Sequence, residues 1–499
     1  MLKLYTSRKR IYHRGTETQR KIPLNSLISV PLCLCGEKFF FLKDIACLFI
    51  CLFALSILAL AQTAPGANKL EVKIIARIPD YRGPSEVRVR RALLNFSPNG
   101  TWLAMSAKER TINVYFASDG RLFKTLKAGP LPQSEKEGIG AFSFSPNGLT
   151  AAARNFVDKT IQIWDTENWE IKKVLTGRKR NLETKSKAGG AQFFEEGFAP
   201  VPFSPDGRKL LVEREDDVVE IWDIAKGEEI VTLNHETNMS GAKEIVKVLL
   251  LGGTRHYLYM QAGFSGDGRF VSTANGDKSP KIWDAATGKL LTTIKSPERL
   301  YRAVLNRDGS SLVTLQLQGA VEMWDAESGI RSAELEGKNF VEGDLNGFDL
   351  SPDGEKMVTF LVEKTKIWDA KAGVLHATLP KIGKARDAAF SPDGKWLATA
   401  STDNKTAVAV IWNVADGTAK LTLPPAPNGA KAVQFSPDGK ILVTANDKGV
   451  NLWRVETGEL LATLSEARLP VSFNADMSRL ATGARKDTAL LWEVAALKQ

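Results

Sequence analysis

Cysteine and histidine are the scarce residues of this 499-residue sequence, and their distribution limits its chemistry. All four cysteines (Cys33, Cys35, Cys47 and Cys51) lie near the N-terminus, and none follows. The long remainder therefore holds no disulfide, no thiolate nucleophile and no thiolate metal site. Beyond the first segment only His235, His256 and His376 occur, too scattered to be argued into a zinc cluster. No Gly-x-Ser-x-Gly elbow and no calcium-loop pattern appears. Nothing assembles into a catalytic site, and the sequence implies no cofactor. Concentrated positive charge is missing as well. Residues 1–61 carry nine Lys/Arg against three Asp/Glu, whereas the remainder carries 58 against 54. A nucleic-acid binder is expected to carry a basic face, and most of the formal net charge of +10 belongs instead to the N-terminal segment.

That segment is of a different kind from the rest. Residues 45–61 form an apolar run broken only by Ser56, with Lys43 upstream and Ala59-Leu60-Ala61 at its end. A positive flank, an apolar core and a small-x-small end are the parts of a secretory signal peptide. The expectation is a 1–61 leader, cleaved after Ala61 or retained as a membrane anchor, followed by one domain over 62–499. The domain would then lie in the periplasm, be secreted, or be tethered with its bulk outside the cytoplasm.

What the remainder has in abundance is repetition. Five-residue turn segments begin at Phe96, Phe144, Phe203, Phe264, Leu305, Leu350, Phe390, Phe435 and Phe473, most of them reading Phe-Ser-Pro-Asp/Asn-Gly. Each is followed, 18 to 22 residues later, by an aromatic: Tyr115, Trp164, Trp222, Trp283, Trp324, Trp368, Trp412, Trp453 and Trp492. In the Pro-containing copies, Pro presets its own φ, Asp or Asn follows, and Gly takes the left-handed position. Between and after them, runs such as Arg269–Thr273, Lys281–Asp284 and Lys289–Ile294 read as short strands. Units of this size cannot bury a hydrophobic face alone and must stack on one another. Four short antiparallel strands repeated radially make a β-propeller. The Trp series is read as structural, filling the gaps between sheets with the ring edge seeking a polar partner.

These residues resemble the WD-repeat β-propeller family, in its bacterial form with Ser-Pro-Asp-Gly turns. Trp164-Asp165, Trp222-Asp223, Trp283-Asp284, Trp324-Asp325 and Trp368-Asp369 keep the Trp-Asp pair, while Trp412-Asn413, Trp453-Arg454 and Trp492-Glu493 relax it. The family's Gly-His dipeptide is missing, so its buried His–Asp network is expected to be absent. The resemblance implies an all-β single propeller of four-stranded antiparallel blades. Repeat counting gives nine blades, or seven or eight if an end unit is degenerate. Too few residues follow Trp492 for a fourth strand, and residues 69–78 are strand-like with no first three strands before them. The N-terminal strand is therefore expected to complete the last blade and fasten the ring.

Function follows as an expectation of class: a non-catalytic scaffold for protein–protein interaction, most economically a monomeric ring, with no nucleic-acid partner. The aromatic-to-next-turn spacing is 29, 39 and 42 residues after Tyr115, Trp164 and Trp222, against 20 to 26 afterwards. Long connections on a rigid scaffold are where binding resides. They fall over 127–140, 177–197 and 234–253. The middle one carries Arg178, Lys179, Arg180, Lys185 and Lys187, which are candidates to bind an acidic partner, lipid headgroups or an anionic polymer. The plainer reading is a solvated hairpin and loop. The alternative function is a propeller enzyme or small-ligand sensor using its central channel, as in lactonases and quinoproteins, since fold alone never excludes activity.

Overall fold

The computed structural model describes residues 70–81, 93–107, 111–127, 139–155, 160–175, 201–213, 218–235, 261–274, 278–316, 320–336, 348–360, 364–381, 383–403, 406–424, 430–446, 448–485 and 487–495. Among them lie nine antiparallel sheets, eight of four strands and one of three. In chain order the blades span 94–126, 139–175, 209–234, 261–293, 300–336, 348–379, 384–422, 432–464 and 468–494. In blade 3 the place of the first strand is marked by the isolated bridge between Phe203 and Leu210. Helices are absent from the described residues.

Period-2 alternation explains why the blades must stack. In a strand, successive side chains point to opposite faces. Ala104, Ile112 and Val114 of blade 1 pack with Ile139, Phe142 and Ala151 of blade 2. Leu103, Met105 and Tyr115 of the same strands pack with Ala481, Ala489 and Leu491 of blade 9. Both faces of the middle strands are thus apolar, and Trp102–Ser106 is buried at every position. The same partition recurs around the molecule, giving nine buried clusters, one per pair of neighbouring blades. In blade 1 the fourth strand is the most exposed, and Leu122–Leu126 is exposed except at Leu126.

The last cluster closes the circle. Val72–Ile78 pairs with Ala489–Val494, from Val72 opposite Val494 to Ile78 opposite Ala489, with the register shifting by one residue between Ile74 and Ala76. It supplies the fourth strand of blade 9, in the order 72–78, 489–494, 479–483, 468–473. Blade 9 then meets blade 1 through Phe96, Tyr115 and Leu491. The count is nine, and no end unit is degenerate enough to reduce it. First strands of consecutive blades touch, as Gln261–Phe264 does with Leu300–Leu305 and Leu94–Phe96 with Arg468–Phe473, so they form the inner edge of the ring.

Candidate functional site

An antiparallel meander puts the first–second and third–fourth turns of every blade on one face of the ring. The second–third turns and the links to the next blade lie on the other. The first face is built of self-satisfied turns. In blade 6, Ser351 Oγ donates to Asp353 Oδ1 at 2.5 Å and accepts from the Lys356 amide at 2.9 Å. Asp353 Oδ1 also accepts from the Glu355 amide at 3.0 Å, while Gly354 takes φ 74°. Blades 3, 4, 7 and 8 repeat this arrangement at Asp206, Asp267, Asp393 and Asp438. Burial pushes the Asp353 carboxyl up, but the Ser351 hydroxyl and the Glu355 amide outweigh it and hold it below the usual value. In the second turn the Asp after Trp plays the same part: Asp325 Oδ1 accepts from the Ser328 hydroxyl at 2.6 Å and its amide at 2.8 Å. These carboxylates are spent on their own backbone.

The aromatic series stands one per gap between blades, with Trp164 between blades 1 and 2 and Trp492 between blades 8 and 9. The indole N–H of Trp283, Trp324, Trp368, Trp412, Trp453 and Trp492 donates to Oγ1 of Thr273, Thr314, Thr359, Thr399, Thr444 and Thr482, at 2.8 to 3.0 Å. That Thr always stands five residues after the last residue of the turn segment, a regularity legible in the sequence alone. Blades 1 to 3 have Met105, Ala153 and Val212 there. Trp222 donates instead to Glu220 Oε2 at 2.8 Å. A buried histidine does stand at one seam, in a contact with Thr and Trp. His235 is fully buried, and its Nδ1 lies 2.8 Å from Thr273 Oγ1, so His235, Thr273 and Trp283 form a relay between blades 3 and 4. The imidazole arrives without a Gly-His dipeptide because the outer strand Glu228–Asn234 ends directly before it.

The opposite face carries the connections that vary in length. Arg178, Lys179, Arg180, Lys185 and Lys187 lie outside the described residues, as do most of 127–140, 177–197 and 234–253. What is described on this face includes a cleft of about 650 Å³ where blade 9 meets blade 8. Its lining includes Arg77, Lys448, Glu466, Arg468 and Arg485. Arg77 grips Glu466 through both terminal guanidinium nitrogens, at 2.7 and 3.0 Å. The inner edge of the ring is polar in places: Arg302 lies over the Phe348 ring at 5.0 Å, and burial pushes the neighbouring Asp349 carboxyl up. Among the described residues no group of three or more His, Cys, Asp or Glu is placed to hold a metal ion. No helix among them is long and apolar enough to cross a membrane.

Fold and repeat chemistry together define a nine-bladed β-propeller, and parts of it are similar to WD-repeat proteins. The family model described as "WD domain, G-beta repeat" matches residues 377–408 and 417–454. Each match begins near or in the outer strand of one blade and runs into the next, the same one-strand offset that the closing strand completes. The chain is 25% identical over 298 residues to nuclear distribution protein PAC1 of Arthroderma benhamiae, covering 54% of this chain and 58% of that protein. To nuclear distribution protein nudF of Emericella nidulans it is 23% identical over 397 residues, covering 68% and 82%. It thus spans little more than half the length of the PAC1 relative. These relatives are fungal, and the WD-repeat likeness stands without the bacterial origin expected from the turns. A crystal structure of the eukaryotic initiation factor aligns at TM-score 0.51 and 16% identity over 79% of this chain and 91% of that one, a likeness of fold alone.

Proposed function

We propose that this protein is a non-catalytic interaction scaffold that holds a protein partner on the face carrying its inter-blade connections. One observation carries the reading. The turn face repeats nearly the same saturated hydrogen-bond pattern from blade to blade, so variation in length is confined to the other face. A rigid ring presenting variable connections is what such binding requires. The similarity to WD-repeat proteins supports it. Export, cleavage after Ala61 or anchoring, and a location in the periplasm or outside the cell belong to the same proposal and rest on the apolar run over 45–61.

Affinity capture tests the scaffold reading. The full chain is compared with a variant shortened within 127–140, 177–197 and 234–253. A protein retained by the parent and lost by the variant is the expected result; retention of every captured protein by the variant contradicts it. N-terminal sequencing of the mature protein tests export, with a start just after Ala61, or a start upstream of the apolar run in a membrane-bound protein, as the two supporting results. A start at Met1 in a protein not associated with membranes would sink it.

A further inference from the structure

We infer that the cleft between blades 8 and 9 is a docking site for a short acidic segment of a protein partner. The inference rests on the scaffold reading and gives it a place and a chemistry. The cleft is assembled from four separate stretches. The end of the closing strand contributes Arg77 and Pro79, the second–third turn of blade 8 contributes Lys448, the link into blade 9 contributes Ser465, Glu466 and Arg468, and the second–third turn of blade 9 contributes Arg485. Four cations thus line it against one carboxylate, and that carboxylate is already engaged by Arg77. Arg468 is held in place by donating to the carbonyls of Ser465 and Ala467 at 2.8 and 2.6 Å. Lys448 and Arg485 are exposed and have no ion-pair partner among the described residues. Fixed guanidinium groups beside free cations suit carboxylates, which take bidentate bonds from Arg.

Two further features point to a built site. The stretches flanking it hold two of the four non-glycine residues with positive φ among the described residues, Asp80 at 60° and Asp487 at 51°. Such conformations concentrate at ligand-binding places, although Asp adopts them more readily than most residues. The walls are strands on both sides, since Arg77 lies within Val72–Ile78 and Arg468 opens Arg468–Phe473. A depression of this size takes a few side chains of a partner segment. The near balance of charge after residue 61 also favours a short acidic segment over a long polyanion.

The test measures binding of a fluorescent hexaglutamate peptide to the full chain by anisotropy, beside a Gly-Ser peptide of equal length, inorganic phosphate and a 20-base-pair DNA duplex. Saturable, salt-sensitive binding of hexaglutamate alone is expected, weakened about tenfold or more by Lys448→Glu with Arg485→Glu. Both side chains are exposed, and an unchanged melting transition shows that the variant folds. Equal binding by parent and folded variant overturns the inference, as do absence of hexaglutamate binding and stronger binding of the duplex or of phosphate. A partner captured by the parent and still held by Lys448→Glu/Arg485→Glu overturns the cleft while leaving the scaffold reading intact. Failure to capture any partner falls on the scaffold reading itself.

Discussion

Ile74 stands directly opposite Trp492 in the sheet of blade 9, although the two lie near opposite ends of the described chain. Both pack into the cluster shared with blade 8, alongside Ile441, Leu452 and Leu480. The pairing means that the first described strand and the last belong to one sheet. Cooperative stability of the ring therefore depends on chain segments far apart in sequence. It also creates the cleft, because Arg77 reaches Glu466 only when the closing strand is in place.

The Thr–Trp bond is the repeated polar element of the core. Thr314 is fully buried and accepts from Trp324 Nε1 at 2.9 Å. Thr314→Val keeps the shape and removes the acceptor, leaving a buried N–H unpaired. The expected loss is about 1 to 3 kcal/mol of unfolding free energy, read by chemical denaturation, with Thr314→Ser losing less. Equal stability of the Val variant and the parent would show that the bond contributes nothing.

Glycines of the third–fourth turns combine backbone conformation with close approach. Gly288 has φ +69°, and a Cβ there would come 2.0 Å from Val231 Cγ2 of the preceding blade. Gly439, in the first–second turn of blade 8, has φ +70° but its Cβ would meet Pro392 only at 3.6 Å. Gly288→Ala should thus lower the melting temperature more than Gly439→Ala, with about 1 to 3 kcal/mol lost at the first. Pairing Gly288→Ala with Val231→Ala should relieve the clash and leave the conformational strain. Equal shifts for the two single variants would contradict the close packing of blades 3 and 4.

Turn carboxylates give the protein an acid limit. The Ser328 hydroxyl, then its amide, hold Asp325 below the ordinary value of 3.8, and the Thr287 hydroxyl followed by its amide do so for Asp284. Asp308 is lowered chiefly by the Ser310 hydroxyl, and Asp476 by that of Ser478. A group depressed on folding contributes stability that is fully present above its unfolded pKa. That stability is lost as pH falls through the lower folded value. Asp349, raised by burial, acts in the opposite sense but is outnumbered. The melting temperature should be level above pH about 5 and fall steadily below pH about 4. A flat profile down to pH about 3 would show that the turns do not stabilise the fold through charge.

How much of this was legible in the sequence depends on the range of the interaction. The Ser-Pro-Asp-Gly turns and their aromatics are local and repeat, so the propeller and its closing strand were legible, and the count was open only at the end units. The Thr acceptors were equally local, at a constant offset, but stood in runs already assigned as strands. Trp169 was harder. It is fully buried with φ 58°, at the turn position that Gly288 and Gly329 occupy in blades 4 and 5, and it meets Trp102 edge-on at 5.8 Å. Nothing in the local pattern announces a Trp in a glycine's place. The cleft was not legible at all, because Arg77, Lys448, Arg468 and Arg485 become neighbours only once the ring closes.

The central claim, a nine-bladed ring fastened by its N-terminal strand, is tested most directly by a cross-link. Lys73 lies opposite Glu493, both exposed on the closing pair. Opposed residues of antiparallel strands are close enough for a disulfide. Lys73→Cys and Glu493→Cys are introduced into a chain whose four native cysteines are replaced by serine. Mild oxidation of the folded protein should then yield one intramolecular disulfide in nearly all molecules and raise the melting temperature. Thiols that stay free in the folded protein, or that link only between molecules, would contradict the closure.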